Sequence, residues 1–416
     1  MKSIHRKTGI LGVALLALGA VAACGADQGK PNVLFIMADD LGWRDLGCMG
    51  SRFYQTPHVD RLATQGMLFT DAYAANPLCS PTRASVLTGL WPSRIGITSA
   101  TCHEPNATFK ASIGTTAPPN KRTVEPLSAT RLNTDYFTIA ESFKKAGYKT
   151  AHIGKWHLGP PPFSPLEQGF DVDIPHSNAP SPLGSGYINP WPVWPGEGNP
   201  GDHLEDRMAE EAVRFIKENK DRPFFMNYWA FSPHSPYQTK PELVGKYAGL
   251  ADSEDPQHNP VYAGMIEVFD DAVGRLLATL DEVGIAENTI VVFYSDNGPW
   301  TKGAYAHVHP PAYNGVPQTS ALPLRGCKAT LNEAGVRVPL IVSWPGHIEP
   351  GSRNSDIVSS VDFYPTLLEL CGLSPAKGQA FDGMSIVPSL KGEKLDRDEY
   401  FCHFPHTIPA TGAIPA

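Results

Sequence analysis

The chain has 416 residues, of which 42% are hydrophobic, so it is long enough to bury one large core or two of medium size. Its 42 acidic residues outnumber its 34 basic ones, and the formal charge is −8. This acidic balance, with no nucleic-acid-binding motif, argues against nucleic acid and other polyanions as partners, although local basic side chains can still hold a small anionic ester.

The N-terminus has the pattern of an export signal. Three basic residues within the first seven positions precede an apolar stretch from residue 10 to residue 23, which is too short for a comfortable membrane span. The stretch ends in Val-Ala-Ala-Cys, a sequence similar to the lipobox of bacterial lipoproteins. We therefore predict cleavage before Cys24, lipidation of that cysteine, and a membrane contact made only by the lipid anchor, in the periplasm or at the cell surface. The alternative is a soluble secreted protein that is cut near Ala23.

Short apolar runs alternate with amphipathic segments along the chain. The runs predict strands that are buried on both faces of a sheet, at residues 32–37, 149–153, 224–229, 289–294 and 338–342. The amphipathic segments predict helices at residues 59–65, 84–90, 138–146, 204–219, 262–283 and 364–370. The alternation indicates an α/β fold with a doubly wound, mostly parallel sheet between layers of helices, in which ligands gather beyond the carboxyl ends of the strands.

Polar side chains follow four of the predicted strands. These side chains belong to Asp39, Asp40, Lys155, His157, His234, Asp296 and Asn297. Because the carboxyl ends of parallel strands meet at one edge of a sheet, we expect them to form one site. The oxygen donors among them suit Ca²⁺ or Mg²⁺ better than zinc. Taken singly, Asp39-Asp40 could instead be a solvated turn, and Asp296-Asn297-Gly298 could be a plain β-turn.

The segment at residues 79–89, Cys-Ser-Pro-Thr-Arg-Ala-Ser-Val-Leu-Thr-Gly, places Cys79 four residues before Arg83 at the start of a predicted helix. The N-terminus of a helix offers unpaired N–H groups and a partial positive charge, which favour an anion near this cysteine. By itself the segment is also compatible with a buried structural cysteine beside a proline turn.

The same segment resembles the signature of the formylglycine-dependent sulfatases, an arylsulfatase-like family of the alkaline phosphatase superfamily. Further blocks similar to those of the family follow in its order: Asp39-Asp40, Gly154-Lys155-Trp156-His157, Ser232-Pro233-His234, Ser295-Asp296-Asn297-Gly298 and Leu324-Arg325-Gly326-Cys327-Lys328. The resemblance implies an alkaline-phosphatase-like fold and one catalytic domain at residues 31–392, after a signal peptide at 1–24 and a linker at 25–30. Family members usually continue into a small C-terminal subdomain. We expect that subdomain to be truncated or missing, with residues 393–416 as its beginning.

The resemblance also implies an activity, the hydrolysis of sulfate monoesters of carbohydrates or aryl compounds. Cys79 would be oxidised to Cα-formylglycine by a formylglycine-generating or equivalent maturation enzyme. One hydroxyl of the aldehyde hydrate attacks sulfur and expels the alcohol, and the other then releases sulfate. The implied cation is Ca²⁺, with Mg²⁺ as the alternative, and its implied ligands are Asp39, Asp40, residue 79 as formylglycine, Asp296 and Asn297.

The remaining family roles transfer to five positions. Arg83 would orient the formylglycine and bind the anion on the metal side, and Lys155 and Lys328 would clamp the sulfate oxygens. His157 would assist the hydroxyls of residue 79, while His234, with Lys328 as a possible helper, would protonate the leaving oxygen. Histidine suits such proton transfers because its ordinary pKa of about 6.5 lies near working pH.

Two rival functions stay open. A phosphate or phosphonate ester hydrolase of the same superfamily is the nearer one, although a two-metal phosphatase needs an additional ligand group that the sequence does not supply. A noncatalytic lipoprotein that binds sulfated glycans is the other. A small departure from the family is Ala334-Gly335 after Glu333, where two glycines are common.

Three long irregular segments at residues 98–134, 159–203 and 299–322 are expected either to wall the pocket or to be disordered. His103 lies in the first of them. We expect it to be an exposed loop histidine, although a substrate contact is conceivable at such a position.

Overall fold

The apolar runs of the sequence form the centre of an eight-stranded sheet in the computed structural model, which describes residues 29–117, 119, 124–184, 186–301 and 316–407. Within these ranges the strands are β1 (Asn32–Ala38), β2 (Met67–Phe69), β3 (Ala72–Tyr73), β4 (Ser112–Ile113), β5 (Pro126–Leu127), β6 (Lys149–Gly154), β7 (Val172–Ile174), β8 (Phe224–Trp229), β9 (Thr289–Ser295), β10 (Leu340–Ser343), β11 (Ser352–Asn354) and β12 (Val358–Ser359). The order in the large sheet is β11-β2-β10-β9-β1-β8-β6-β7.

The large sheet is mostly parallel, as predicted. Strand β1 runs parallel to both of its neighbours, β8 and β9, and β6 runs parallel to β7 and β8. Only β10 is reversed, because it pairs antiparallel with both β9 and β2. The carboxyl ends of β9, β1, β8 and β6 therefore lie side by side at one edge of the sheet.

Helices cover both faces of the sheet. The α-helices of the described ranges are α1 (Pro57–Gln65), α2 (Cys79–Thr88), α3 (Pro92–Ile95), α4 (Ile139–Lys145), α5 (Leu204–Asn219), α6 (Pro241–Ala248), α7 (Pro260–Glu282), α8 (Glu333–Val336), α9 (Phe363–Leu370) and α10 (Val387–Leu390). Leu34 and Ile36 of β1 pack into a core cluster with α1, α5 and α7. Val33 and Phe35 pack into a second cluster with α2, α4 and α9. Since alternate residues of β1 enter opposite cores, the strand is apolar from Val33 to Ala38.

Helix α2 begins at Cys79, five residues before the predicted start. Leu78 is extended and forms the N-cap, and Pro81 is accommodated because a residue in the first helical turn needs no intrahelical N–H bond. Gly89 ends the helix in the left-handed conformation, with φ 69°, and donates its N–H to the Ser85 carbonyl. The cysteine is therefore the first residue of the helix instead of a loop residue ahead of it.

The predicted signal segment and Cys24 lie outside the described residues. Across the part of the chain that the structure describes, no helix combines the length and apolarity that a membrane crossing requires. At the other end, Phe404 is fully buried against Leu78 and Ala329, so this segment packs beside the start of α2.

Candidate active site

The predicted polar residues meet at the edge where the four central strands end. Backbone hydrogen bonds extend the sheet pattern past the strands: Asp39 N donates to the Ser232 carbonyl, and Asp296 N donates to the Ala38 carbonyl. Lys155 N likewise donates to the Trp229 carbonyl at 2.7 Å. These bonds fix the first polar residue after each strand, which is the convergence that the sequence predicted.

Arg83, on α2, ties the helix to the strand ends. Its Nε and Nη2 atoms donate to Asp296 Oδ2 at 2.9 and 2.7 Å, and its Nη1 donates to the Lys155 carbonyl at 2.7 Å. Nη2 also lies 3.8 Å from Asp39 Oδ1. The guanidinium is fully buried, and burial opposes its charge, but the carboxylates of Asp296 and Asp39 raise its pKa above the ordinary value.

Asp39 is fully buried and lies close to several charged side chains. Lys155 Nζ lies 2.6 Å from its Oδ2, and neither side chain is exposed. Burial and the nearby charge of Asp296 raise the pKa of Asp39 to about 8, despite the opposing effect of Lys155 and Arg83. The carboxyl therefore holds a proton at neutral pH until a further cation compensates its charge.

Asp40 has a different set of partners. Lys328 Nζ lies 2.7 Å from its Oδ1, Asn297 Nδ2 donates to the same oxygen at 2.7 Å, and His234 Nε2 lies 3.6 Å from its Oδ2. Burial alone would raise the pKa of Asp40, but Lys328 and then His234 lower it below its usual range. Asp40 stays ionised throughout the neutral range.

The backbone is strained at two of these positions. Asp40 has φ 65° and His157 has φ 57°, both in the left-handed region that residues other than glycine seldom adopt. The Asp40 N–H donates to Asp296 Oδ1 at 3.2 Å, and the His157 carbonyl accepts a bond from Ser80 Oγ at 2.8 Å. The surrounding contacts thus hold both residues in conformations that turn their side chains toward the strand ends.

Cys79 lies at the centre of this arrangement. Its Sγ is 3.3 Å from His157 Nδ1, and the residue is 2% exposed. Burial raises the pKa of the thiol, and burial together with the positive charge of Lys155 lowers the pKa of His157 well below its usual value. A neutral imidazole therefore faces a neutral thiol, so the unmodified cysteine is a weak nucleophile here.

The donor set fits a hard divalent cation. Ligand atoms of Asp39, Cys79 and Asp296 all lie within 4.8 Å of one another, and a second such group joins Asp39 and Asp40 with His234. Asp39 Oδ1 and Asn297 Oδ1 are buried without a hydrogen-bond partner among the described residues. Buried oxygens of this kind carry a desolvation cost that a bound cation removes, and an oxygen-rich set suits Ca²⁺ or Mg²⁺.

The loop that carries Lys328 packs closely on the turn that carries Asn297. Gly298 N donates to the Gly335 carbonyl at 3.0 Å, and a Cβ atom added at Gly298 would lie 1.7 Å from the Ala334 carbonyl oxygen. The close approach of the two segments thus depends on glycine at position 298, and Gly335 is needed for the packing of its own segment against Thr330. Ala334, where the family commonly has glycine, leaves this contact intact.

A cavity of about 480 Å³ opens onto the polar cluster. Asp40, His234 and Lys328 form its polar side, and its apolar lining residues are Leu78, Ala100, Tyr237, Trp300 and Ala329. No spacing signal in the sequence indicated the aromatic residues of this wall. They come from separate loops, and only the folded chain brings them together.

His103 also lines the cavity, and it does more than the sequence indicated. Its side chain is 39% exposed, as expected for a loop histidine. Its Nδ1 nevertheless lies 2.9 Å from His157 Nε2, and the two rings are tilted by 33° at a centroid distance of 5.1 Å. The structure therefore joins His103 to the residues predicted from the family pattern.

Comparison with known proteins agrees with this geometry. The family model described as Sulfatase matches residues 31–373. Human N-acetylgalactosamine-6-sulfatase is 34% identical over 405 residues, which cover 92% of this chain and 70% of that protein. The crystal structure of Ps i-CgsB in complex with k-i-k-neocarrahexaose is 30% identical, has a TM-score of 0.67, and is matched over 88% of this chain and 77% of its own.

A more distant structure bears on the fold alone. The phosphonate monoester hydrolase of Agrobacterium radiobacter is 21% identical with a TM-score of 0.62, over 92% of this chain and 82% of its own. Together with the observed sheet, these neighbours confirm the predicted alkaline-phosphatase-like fold class.

Proposed function

Because the chain belongs to the sulfatase family and is a sulfuric ester hydrolase, we propose that it cleaves sulfate monoesters with a formylglycine derived from Cys79 and a bound Ca²⁺. The observation that carries the proposal is the position of Cys79 Sγ, 3.3 Å from His157 Nδ1 and within 4.8 Å of carboxylate oxygens of Asp39 and Asp296. An oxygen nucleophile at this position would have a base on one side and cation ligands on the other.

The cation would be held by Asp39, Asp40, Asp296, Asn297 and the oxygen of residue 79, and Mg²⁺ is the alternative ion. Residue 79, once modified to formylglycine, would supply a hydrated aldehyde as the oxygen nucleophile. The bound cation would supply a positive charge that polarises the sulfate. The nucleophilic oxygen would take the place that Cys79 Sγ occupies. Arg83 links Asp296 to the start of α2 through two hydrogen bonds, so it would keep residue 79 and the cation ligands in a fixed relative position.

The two histidines have different neighbours in the proposed reacting centre, Cys79 for His157 and Asp40 for His234. His157 Nδ1 faces residue 79, where it can accept the hydroxyl proton. His234 lines the cavity, and its pKa is lowered well below the usual value by burial and by Lys328. The negative charge of a bound sulfate would favour uptake of a proton from solvent by this imidazole, which would then donate the proton to the leaving oxygen.

The two lysines would bind different parts of the sulfate ester. Lys328 lines the cavity and would contact the incoming ester, whereas Lys155 is fully buried beside Asp39 and would act at the inner sulfate oxygens. Both positions suit a compact anion, because an ammonium group can donate up to three hydrogen bonds.

We also propose a substrate class, a location and a maturation step for this protein. The substrate would be a sulfated small molecule or glycan, since the cavity has room for a ring beside aromatic walls and relatives carry names such as N-acetylgalactosamine-6-sulfatase. The chain would be exported, anchored through lipidated Cys24, and matured by a formylglycine-generating or equivalent enzyme. Its segments would be a signal peptide at 1–24, a linker at 25–30, a catalytic domain at 31–392 and the start of a C-terminal subdomain at 393–416.

The rival phosphate or phosphonate ester hydrolase receives less support. Both acidic groups that could hold a cation in the described part of the chain include Asp39, so they indicate one compact centre instead of two separate ones. The noncatalytic rival is weakened further, because the charged groups expected of a hydrolytic site are all present and form close ion pairs.

The test combines mass spectrometry with turnover. The peptide that contains residue 79, from protein purified from a host with a maturation enzyme, should carry formylglycine instead of thiol. The wild type and the Cys371→Ala control, which changes another buried cysteine, should release sulfate from 4-nitrophenyl sulfate, whereas Cys79→Ala should not. Unmodified thiol in an active enzyme, or faster hydrolysis of 4-nitrophenyl phosphate, would contradict the proposal.

A further inference from the structure

Three side chains form a continuous line from the interior of the site to the cavity. Cys79 Sγ lies 3.3 Å from His157 Nδ1, and His157 Nε2 lies 2.9 Å from His103 Nδ1. The free edge of the His103 ring then faces outward, where its Nε2 lies 3.9 Å from Glu104 Oε1. Both ring nitrogens of His157 are therefore engaged, one by residue 79 and the other by His103.

The bond between the two imidazoles restricts where their protons lie. A neutral imidazole has one N–H donor and one acceptor nitrogen, so a bond between two rings needs one ring to donate and the other to accept. If His157 is to accept a proton at Nδ1, its own proton must be on Nε2, which then donates to His103 Nδ1. His103 consequently carries its proton on Nε2, toward the cavity and Glu104.

We propose that His103 is a positioning residue that holds His157 in the Nε2–H tautomer, with Nδ1 unprotonated and directed at residue 79. The inference rests on the proposed function, because it assigns His157 the task of accepting a proton from that residue. In other hydrolases a third group, often a carboxylate, orients the catalytic base, and here the imidazole of His103 would have that role.

The loop around His103 is built to keep the ring in place. Arg131 Nη1 and Asn178 Nδ2 donate to the carbonyl of the preceding Cys102 at 3.2 and 2.8 Å. Arg131 Nη2 donates to the carbonyl of the following Glu104 at 2.6 Å. A buried arginine therefore holds the backbone on both sides of His103 and fixes the point from which this partly exposed side chain extends.

The charge state of His103 agrees with a role as acceptor. Partial burial lowers its pKa below the ordinary value, and Lys155 and Arg131 act in the same direction against the opposing charge of Glu104. The ring is therefore neutral at neutral pH, and its Nδ1 lone pair is available to His157.

The decisive experiment compares two variants at position 103. In His103→Asn, the side-chain oxygen replaces Nδ1 and can still accept from His157, whereas His103→Ala removes the acceptor. The control is His347→Ala, an exposed histidine that follows the reversed strand β10 and so lies at the opposite edge of the sheet. The substrate is 4-nitrophenyl sulfate, and kcat and KM are measured separately.

We expect His103→Ala to lower kcat roughly tenfold or more with little change in KM, because the base is then free to adopt the wrong tautomer. His103→Asn should stay within about threefold of wild type, and His347→Ala should equal it. A raised KM with unchanged kcat in His103→Ala would assign His103 to the cavity wall only. Equal losses in the Ala and Asn variants would likewise overturn the inference.

A second readout separates this inference from the proposed function. Nitrogen-15 NMR of histidine-labelled protein reports which ring nitrogen carries the proton, and the His157 signals are those lost in His157→Gln. The wild type and His103→Asn should show the Nε2–H form, and His103→Ala should lose it. An inactive wild type would refute the proposed function, whereas an unchanged His157 tautomer in His103→Ala would refute the role of His103 alone.

Discussion

Two lysine–aspartate pairs stand beside each other at the end of β1, and they differ in their access to solvent. The Lys155–Asp39 pair has no exposed surface, and Arg83 and Asp296 complete the same buried group, which we call the floor. The Lys328–Asp40 pair is 12% and 5% exposed and shares the cavity with His234, and we call these three residues the rim. The floor thus contacts mainly protein, and the rim is where a substrate can enter.

The comparison shows that neighbouring residues of the same type acquire opposite properties. Asp39 and Asp40 are adjacent in the chain, yet the pKa of Asp39 is raised to about 8 and that of Asp40 is lowered. Burial and the nearby Asp296 dominate at Asp39, whereas Lys328 and His234 outweigh burial at Asp40. Since successive residues after a strand point in different directions, one joins the floor and the other the rim.

The largest expected effect is on the stability of the floor. Arg83→Met keeps most of the side-chain volume but leaves Asp296 with an uncompensated buried charge, so we expect a loss of roughly 3–5 kcal/mol in the free energy of unfolding. Urea unfolding monitored by circular dichroism measures it. Arg94→Met, which breaks an exposed pair with Asp382, is the control and should change little. If both variants lost the same free energy of unfolding, the floor would matter no more for stability than an exposed ion pair.

Ca²⁺ should stabilise the folded protein, by less than the Arg83→Met substitution destabilises it. At a concentration 100 times its Kd, the ion should add about 2.7 kcal/mol to the free energy of unfolding, since it binds the folded chain preferentially. A rise in Tm on addition of Ca²⁺, reversed by a chelator, is the expected result. The response should vanish in Asp39→Asn and persist in Asp382→Asn. A response that survives in Asp39→Asn would place the ion elsewhere.

The pH dependence of Ca²⁺ binding should reveal the raised pKa of Asp39. In the metal-free protein this carboxyl holds a proton up to about pH 8, so binding near pH 6.5 must release it. Affinity should therefore rise with pH, by at most about tenfold per unit, and level off above about pH 8. For the same reason, the contribution of Asp39 to the stability of the metal-free fold declines as pH rises from about 4 to about 8.

Isothermal titration in two buffers of different ionisation enthalpy counts the protons released. A release close to one proton per ion is expected at pH 6.5, and a release close to none at pH 9. No release at the lower pH would show that Asp39 is already ionised, and the electrostatic contrast with Asp40 would then disappear.

The smallest effect on stability, with a distinct effect on activity, belongs to the rim. In Lys328→Met, Asp40 loses its main cationic partner but keeps the bond from Asn297 and borders the open cavity, so the free energy of unfolding should fall by roughly 1–3 kcal/mol, less than in Arg83→Met. The KM for 4-nitrophenyl sulfate should rise roughly tenfold, the size of a lost charge-assisted hydrogen bond. Lys328→Arg, which retains the charge, is the matched control. A stability loss as large as that of Arg83→Met would make Lys328 part of the floor.

Much of the fold followed from the sequence because its central strands are apolar on both faces. The predicted run at 224–229 matches β8 (Phe224–Trp229), and the predicted helix at 204–219 matches α5 (Leu204–Asn219). Short edge strands such as β7 (Val172–Ile174) were missed, since three residues carry no measurable period. The start of α2 was placed too late because Cys-Ser-Pro read as a turn, although a proline fits the first turn of a helix.

The sequence by itself determined which residue types stand after which strands, and so predicted one site at one sheet edge around Cys79. The polar blocks are local, and parallel strands necessarily bring their carboxyl ends together. Only the tertiary structure decided which carboxylate borders the cavity, which lysine faces it, and that His103 contacts His157. Those outcomes depend on how loops from distant parts of the chain close over the strand ends, and no spacing within any one segment encodes that closure.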